Sequence, residues 1–269
     1  MTGRLAILAG QGALPHRIAA AHPAALFVHF DGLAVDLPEI ETLPASFERF
    51  GQLFADLHAA GVSDVVFAGG LARPALDPTK FDAKMQVLAP GFMAAMAGGD
   101  DGLLRAVIAA FEAEGFAARG AHELVPGLTA KPGLLVGPDP QPGDLADATR
   151  ATAILTALGP LDVGQGVVVA GGQCLGIETA QGTDAMLTFV AATPHGLRRG
   201  PRGVLVKAPK PGQDLRVDMP AIGPDTVAAA HRAGLAGIVV TPGAVLLLDR
   251  ETLLADAHAA DLFILAQVL

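Results

Sequence analysis

Short apolar runs that stop at glycine alternate with helix-length segments through the first half of this 269-residue chain. Arg4 to Gly10 is such a run; it ends in Gly10-Gln11-Gly12 and is followed by Leu14, Pro15 and a helical stretch through Ala21. Leu26 to Phe30 repeats the strand signal, Phe47 to Ala60 reads as a helix, and Asp64 to Ala68 is a further strand closing in Gly69-Gly70. Asp101 to Glu114 is an amphipathic helix. Strands alternating with helices imply βαβ units, because parallel neighbours need a crossover long enough to be a helix. A Rossmann-like parallel sheet is expected here.

From Pro126 to Gly143 the text becomes PGLTAKPGLLVGPDPQPG, crowded with proline and glycine and without periodicity. Residues 131–143 are read as a linker between a first domain, 1–130, and a second, 144–269. A chain of this length lies where one core stops growing, so two domains are expected. In the second, Asp144 to Leu158 reads as a helix, and Gly166 to Ala170 and Cys174 to Thr179 as a hairpin around Gly171-Gly172-Gln173. Thr183 to Ala191, Asp225 to Ala233 and Glu251 to Ala260 are helical; Gly203 to Val206, Ile238 to Thr241, Ala244 to Asp249 and Leu262 to Leu265 are strands. The fold class is α/β with two domains, the carboxy-terminal one a mixed α/β domain.

Composition excludes several functions. A net charge of −9 and a pI near 5.2 oppose general nucleic-acid binding, which needs a basic face to displace counterions. With 51% hydrophobic residues but no Trp or Tyr, the core is built from aliphatic side chains and 12 Phe. Cys174 stands alone and reads as a small hydrophobe, and the histidines form no HxH or HxxxH pair for zinc. The apolar run Leu5 to Ala9 is short for a secretory signal, and no apolar stretch reaches the roughly 20 residues of a spanning helix. A cytoplasmic protein is expected, with peripheral contact to the inner membrane left open and a homodimer as the default assembly.

Chemistry concentrates in VLVKAPKPGQDLRVDMPAIGPDT, Val204 to Thr226. Lys207, Lys210, Asp214, Arg216, Asp218 and Asp225 sit there among Pro209, Pro211, Gly212, Pro220, Gly223 and Pro224, which forbid a long helix. Carboxylates are the ligands Mg²⁺ selects and Lys and Arg answer phosphate charge, so a rigid loop carrying both suits metal-assisted phosphoryl chemistry. A salt-bridged loop is the plain alternative.

Asp225 follows Gly223-Pro224 and reads equally as a helix N-cap and as a pre-organised ligand or base. Glu178 ends an apolar strand and Asp184 opens a helix; both are candidates for the same polar cluster, with Gln165 and Thr183 nearby. In the first half, Gln11 and Gly12 at a helix start, and Gly70, Leu71 and Arg73 at a strand end, lie where ligands bind in open parallel sheets. Of Asp100 and Asp101, which open a helix, one is read most simply as an N-cap, against a role in substrate binding, and the other still needs a reason.

GQG-x-LP, GLARP, GDDGLLR, DVGQGVVV, IETAQGTDAM and VKAPKPGQDLRVDMPAIGPDTV together resemble the LpxI family of UDP-2,3-diacylglucosamine pyrophosphatases of lipid A biosynthesis. The resemblance runs through nearly the whole chain and is most specific in GTDAM and KAPKPGQDLRVDMPAIG. Gln181 departs from the glutamate expected before Gly-Thr-Asp. The resemblance implies Mg²⁺-dependent hydrolysis of the diphosphate of UDP-2,3-diacylglucosamine, giving UMP and lipid X. On that reading Asp225 and Asp214, with Glu178 and Asp184, would bind Mg²⁺ or activate water. Lys207, Lys210 and Arg216 would neutralise the diphosphate, and Gln11, Gly12, Gly70, Leu71, Arg73, Asp100, Asp101, Gln165 and Thr183 would contact substrate. A sugar-nucleotide transferase and a non-catalytic nucleotide or lipid carrier are the alternatives.

Overall fold

The strand–helix alternation folds into two compact units, one of Met1–Pro126 with Asp214–Asp218, the other of Gly127–Gln213 with Met219–Leu269. The computed structural model describes residues 3–71, 75–96, 100–200 and 202–268, and of Asp100 and Asp101 the backbone alone.

The first unit runs β1 (Arg4–Ala9), α1 (Leu14–Ala21), β2 (Leu26–Phe30), β3 (Thr42–Ala45), α2 (Phe50–Ala59), β4 (Val62–Ala68), α3 (Ala83–Met96), α4 (Asp100–Ala113), β5 (Ala117–Arg119) and the short α5 (Ala121–Leu124). Its strands are all parallel, in the order β3-β2-β1-β4-β5. The chain thus moves outward in one direction from β1 and in the other from β4. The crevice at the carboxyl ends of β1 and β4 is the switch point where open α/β sheets bind ligands.

Phenylalanine holds this unit together. Phe50, Phe54, Phe111 and Phe116 are buried, and Phe54 meets Phe111 edge to face at 5.0 Å, the geometry ring quadrupoles favour. Val217, from the inserted segment Asp214–Asp218, packs against this same core.

The second unit runs β6 (Gly133–Val136), α6 (Pro142–Leu158), β7 (Gly166–Ala170), β8 (Gln173–Ile177), α7 (Gly182–Ala191), β9 (Val204–Lys207), β10 (Ala221–Ile222), α8 (Pro224–Arg232), β11 (Gly237–Val240), β12 (Leu246–Leu247), α9 (Arg250–Ala259) and β13 (Phe263–Ala266). Its main sheet has the order β6-β13-β11-β9-β7-β8. β9, β11 and β13 are parallel, while β6 and β7 run against their neighbours. The expected β7–β8 hairpin forms: the buried Asp147 accepts the backbone N–H of Gly171 at 2.8 Å and of Gly172 at 2.6 Å, fixing its turn.

Several expectations change. The stretch read as a linker, 131–143, contains strand β6, antiparallel to β13, and the units divide after Pro126. Leu134 to Val136 gain an edge-strand role that only a distant partner supplies. The strand expected over Ala244 to Asp249 contracts to Leu246–Leu247, paired with Ala221–Ile222. β3, β5 and α3 are additions.

Candidate active site

In the second unit, residues far apart in sequence meet at one sheet edge. Gly166 pairs with Lys207, Lys207 with Val240 and Val240 with Ala266 in a continuous cross-strand register. The amino end of β7 therefore sits beside the carboxyl ends of β8, β9, β11 and β13. Only four residues separate the end of β8 from the start of α7, so the amino end of α7 is at this edge. α8 leads back to the start of β11, and its amino end lies there for the same reason. Glu178, Thr183, Asp184, Gln165, Lys207 and Asp225 thus share one edge.

Lys207 is the centre of a closed polar triangle. Its Nζ donates to Glu178 Oε2 at 2.7 Å, to Glu178 Oε1 at 2.9 Å and to Thr183 Oγ1 at 2.6 Å, using all three ammonium protons. Thr183 Oγ1 in turn donates to Glu178 Oε1 at 3.0 Å. The Lys207 side chain is only 4% exposed and that of Glu178 12%. A charge this buried is tolerated because it is paired and fully hydrogen-bonded.

The Gly164-Gln165-Gly166 segment is shaped around this pair. Gly164 has φ +53°, and a Cβ on it would strike the Glu178 carbonyl. A Cβ on Gly166 would lie 2.5 Å from Glu178 Oε2. Glycine is required at both positions for the strand end to approach the carboxylate. Ala208 N–H donates to the Gln165 carbonyl at 3.0 Å, tying the start of β7 to the end of β9.

Asp225 and Asp184 lie in the first turns of α8 and α7 and are exposed. Neither carboxylate has a partner among the described residues, whereas free backbone N–H groups at both helix starts favour anions. Lys210 pairs with Asp162, a left-handed residue at φ +57°. Asp162 is a charged contact that sequence reasoning did not assign; its only signal was the Leu-Asp-Val-Gly turn.

Asp214 and Arg216 fall in the first unit, where they pair with each other and with Glu112. Arg216 Nη2 donates to Asp214 Oδ2 at 2.7 Å and Nη1 to Glu112 Oε1 at 2.6 Å. The Arg216 hydrogen bonds hold the Asp214 carboxyl below its usual range, against the opposing effect of burial. The two carboxylates push the Arg216 guanidinium pKa further up.

Among the described residues no three His, Cys, Asp or Glu side chains group to hold a metal ion. Glu178 is committed to Lys207 and Asp214 to Arg216, so the expected four-carboxylate set is not a protein cage. Mg²⁺ does not need one: it commonly takes one or two carboxylates, waters and substrate phosphates. Asp225 and Asp184 are the open carboxylates that fit this pattern.

In the first unit, the switch point holds Gln11, Gly12, Gly70 and Leu71. Gln11 N–H donates to the Gly70 carbonyl at 2.7 Å and Gly70 N–H to the Gln11 carbonyl at 2.9 Å. The two loops cross so tightly that a Cβ on Gly69 would lie 2.5 Å from the Gln11 oxygen. Gly12, at φ +97°, faces open space and Leu71 is 50% exposed. Arg73 lies outside the described residues; Asp100 and Asp101 form the first turn of α4.

Comparison with known proteins agrees with this division. Residues 4–128 match the LpxI N-terminal domain and residues 131–265 the LpxI C-terminal domain. The chain is 41% identical over 270 aligned positions to "UDP-2,3-diacylglucosamine pyrophosphatase LpxI" of Caulobacter vibrioides (strain ATCC 19089 / CIP 103742 / CB 15), covering 97% of this chain and 96% of the relative. With both domains matched and a relative aligned from end to end, the chain belongs to the LpxI family.

Proposed function

We propose that the protein hydrolyses the diphosphate of UDP-2,3-diacylglucosamine to UMP and 2,3-diacylglucosamine 1-phosphate, a step of lipid A biosynthesis. The observation that carries this reading is the end-to-end likeness to a relative bearing that activity in its name. The edge of the second unit supplies suitable chemistry. Two helix amino ends and Lys210 offer positive potential to a diphosphate. The exposed Asp225 accepts a hydrogen bond from the attacking water and holds it in line. A phosphorus–oxygen bond forms to that water as its proton passes to the Asp225 carboxylate and on to solvent, the bond to the bridging oxygen breaks, and the leaving phosphate departs with the electron pair.

Lys207 contributes differently from the loop cations expected of it. Neutralised by Glu178, it fixes the end of β9 against the start of α7 and so sets where Thr183 and Asp184 stand. Mg²⁺, brought in with the diphosphate and held by Asp225 or Asp184, would add charge neutralisation at the phosphates.

The deciding experiment incubates purified protein with UDP-2,3-diacylglucosamine in ¹⁸O-water, with and without EDTA. Hydrolysis places solvent oxygen in UMP or in the sugar phosphate. Turnover without solvent oxygen means a transferase, and nucleotide binding without turnover means a carrier. Unchanged turnover in EDTA removes Mg²⁺ from the reading.

A further inference from the structure

The antiparallel register of β7 and β9 continues past the amino end of one strand and the carboxyl end of the other. Gly166 pairs with Lys207 where the strands end, and Ala208 N–H then donates to the Gln165 carbonyl at 3.0 Å. Farther out, Lys210 Nζ donates to Asp162 Oδ1, and Gly159 lies so close to Pro211 that a Cβ on it would strike the proline ring. Residues 159–166 and 207–213 therefore run side by side. They carry the ladder beyond the sheet at the edge that holds Glu178, Thr183 and Asp184.

Each member of the outer pair is fixed by its own backbone. Asp162 closes the turn that follows α6: its N–H donates to the Gly159 carbonyl at 3.0 Å and its φ is +57°, the left-handed conformation that Asp and Asn tolerate better than other side chains. Lys210 opens a turn in which Gln213 N–H donates to the Lys210 carbonyl at 3.1 Å. Proline second and a left-handed glycine third, here Pro211 and Gly212 at φ +76°, are the residues that suit a type II turn. The Gln213 side chain closes the same turn by accepting the Lys210 N–H at 2.8 Å. Two turns with fixed backbones thus lie side by side, and the Asp162–Lys210 ion pair joins them.

The two lysines of this edge differ in what their ammonium groups can still do. Lys207 donates all three protons to Glu178 and Thr183 and is 4% exposed. Lys210 donates one, to Asp162, and its ammonium has no other acceptor among the described residues, so two protons remain for an incoming oxygen. The Lys210 side chain is 15% exposed and that of Asp162 36%, so the cation is held at the edge while water screens the carboxylate. An ion pair with one partner this exposed adds little to folding. Its larger effect is on where the ammonium stands: a long, flexible lysine stem ordered in advance need not be ordered when the ligand arrives.

We propose that Asp162 is a positioning residue for the diphosphate reaction: it holds the Lys210 ammonium at the sheet edge, with two protons unused, ready to meet a phosphate. The inference rests on the reading of this edge as the diphosphate site.

The test is a double-mutant cycle on the full chain, Asp162→Asn and Lys210→Met singly and together, read as kcat and KM for UDP-2,3-diacylglucosamine and as the Kd of UDP. Asparagine adopts the left-handed conformation as readily as aspartate, so the turn stays and the charge goes; Asp162→Gly keeps the turn with no side chain at all. Thermal midpoints are expected to stay near wild type, and the constants are measured well below the lowest of them. Lys210→Met should raise KM and the UDP Kd by about tenfold, and Asp162→Asn and Asp162→Gly by about fivefold, with kcat little changed, because a cation that already meets the diphosphate in the bound ligand acts on binding. In the Lys210→Met background Asp162→Asn should add less than about twofold, since it acts through the lysine. Wild-type constants in both Asp162 variants overturn the proposal and leave Asp162 a turn residue. An equal loss from Asp162→Asn in the Lys210→Met background overturns it too, because Asp162 then acts without Lys210. Absence of hydrolysis by wild type refutes the substrate reading, while the cycle in UDP Kd still judges the positioning. Wild type that binds no UDP overturns the positioning as well.

Discussion

Arg216 clasps the carboxylate two residues before it: Nη2 lies 2.7 Å from Asp214 Oδ2 and Nε 2.9 Å from Oδ1, while the backbone N–H of Arg216 reaches Oδ1 at 3.0 Å. Because these bonds favour the charged form, the Asp214 pKa is lower folded than unfolded. Its contribution to stability is complete above the unfolded value near about 3.9 and is lost as pH falls below that toward the folded value. Urea unfolding midpoints should therefore drop on acidification below about pH 4, and Asp214→Asn should be less stable at neutral pH with a shallower acid limb. An acid limb identical to wild type would remove Asp214 from this account.

Lys207→Met should destabilise the protein by about 3–5 kcal/mol, because Glu178 is left buried without its cation. The double variant Lys207→Met/Glu178→Leu should recover most of that loss. Thermal or urea unfolding reads both, and a single variant within about 1 kcal/mol of wild type would show that the triangle is not the restraint described.

Gly166→Ala puts a methyl where Glu178 Oε2 stands, 2.5 Å away. The carboxylate must shift, disturbing its bonds to Lys207 and Thr183, at a cost of about 1–3 kcal/mol. If Lys207 and α7 set the catalytic edge, kcat should fall in the fraction that remains folded. Wild-type kcat in a destabilised variant would confine the glycine to a structural role.

Asp225→Asn keeps the shape of the first turn of α8 and removes its charge. Because Asp225 is exposed and without a partner among the described residues, the thermal midpoint should move little. UMP release should fall by more than about tenfold, which is roughly 1.4 kcal/mol of barrier. A smaller loss would take Asp225 out of the catalytic edge.

Long, strongly patterned elements were legible in the sequence: β1, β4, α2, α4, α6, α7 and the β7–β8 hairpin lie where periodicity and glycine punctuation put them. What was hidden depends on partners or breaks a local rule. β3 contains Pro44, which an edge strand accepts because its outward side needs no N–H. β6 looks like linker until β13 pairs with it. α3 escaped because it is apolar all round and contains Pro90, leaving no one-sided stripe to read. At the site, Glu178, Thr183 and Lys207 were expected to converge and they do. Asp214 and Arg216 pair with each other and with Glu112, a contact that the sequence hid because proximity in a loop does not reveal which core Val217 enters.

That insertion of Val217 governs how the protein can be cut. A fragment ending at Pro126 lacks the five residues Asp214–Asp218, so it loses a hydrophobic plug and strips Glu112 of its guanidinium. A fragment beginning at Gly127 keeps those residues but without the surface they lie against. Neither half is a faithful miniature of its portion of the intact enzyme, and supplying Asp214–Asp218 to the first as a tethered peptide is the natural repair.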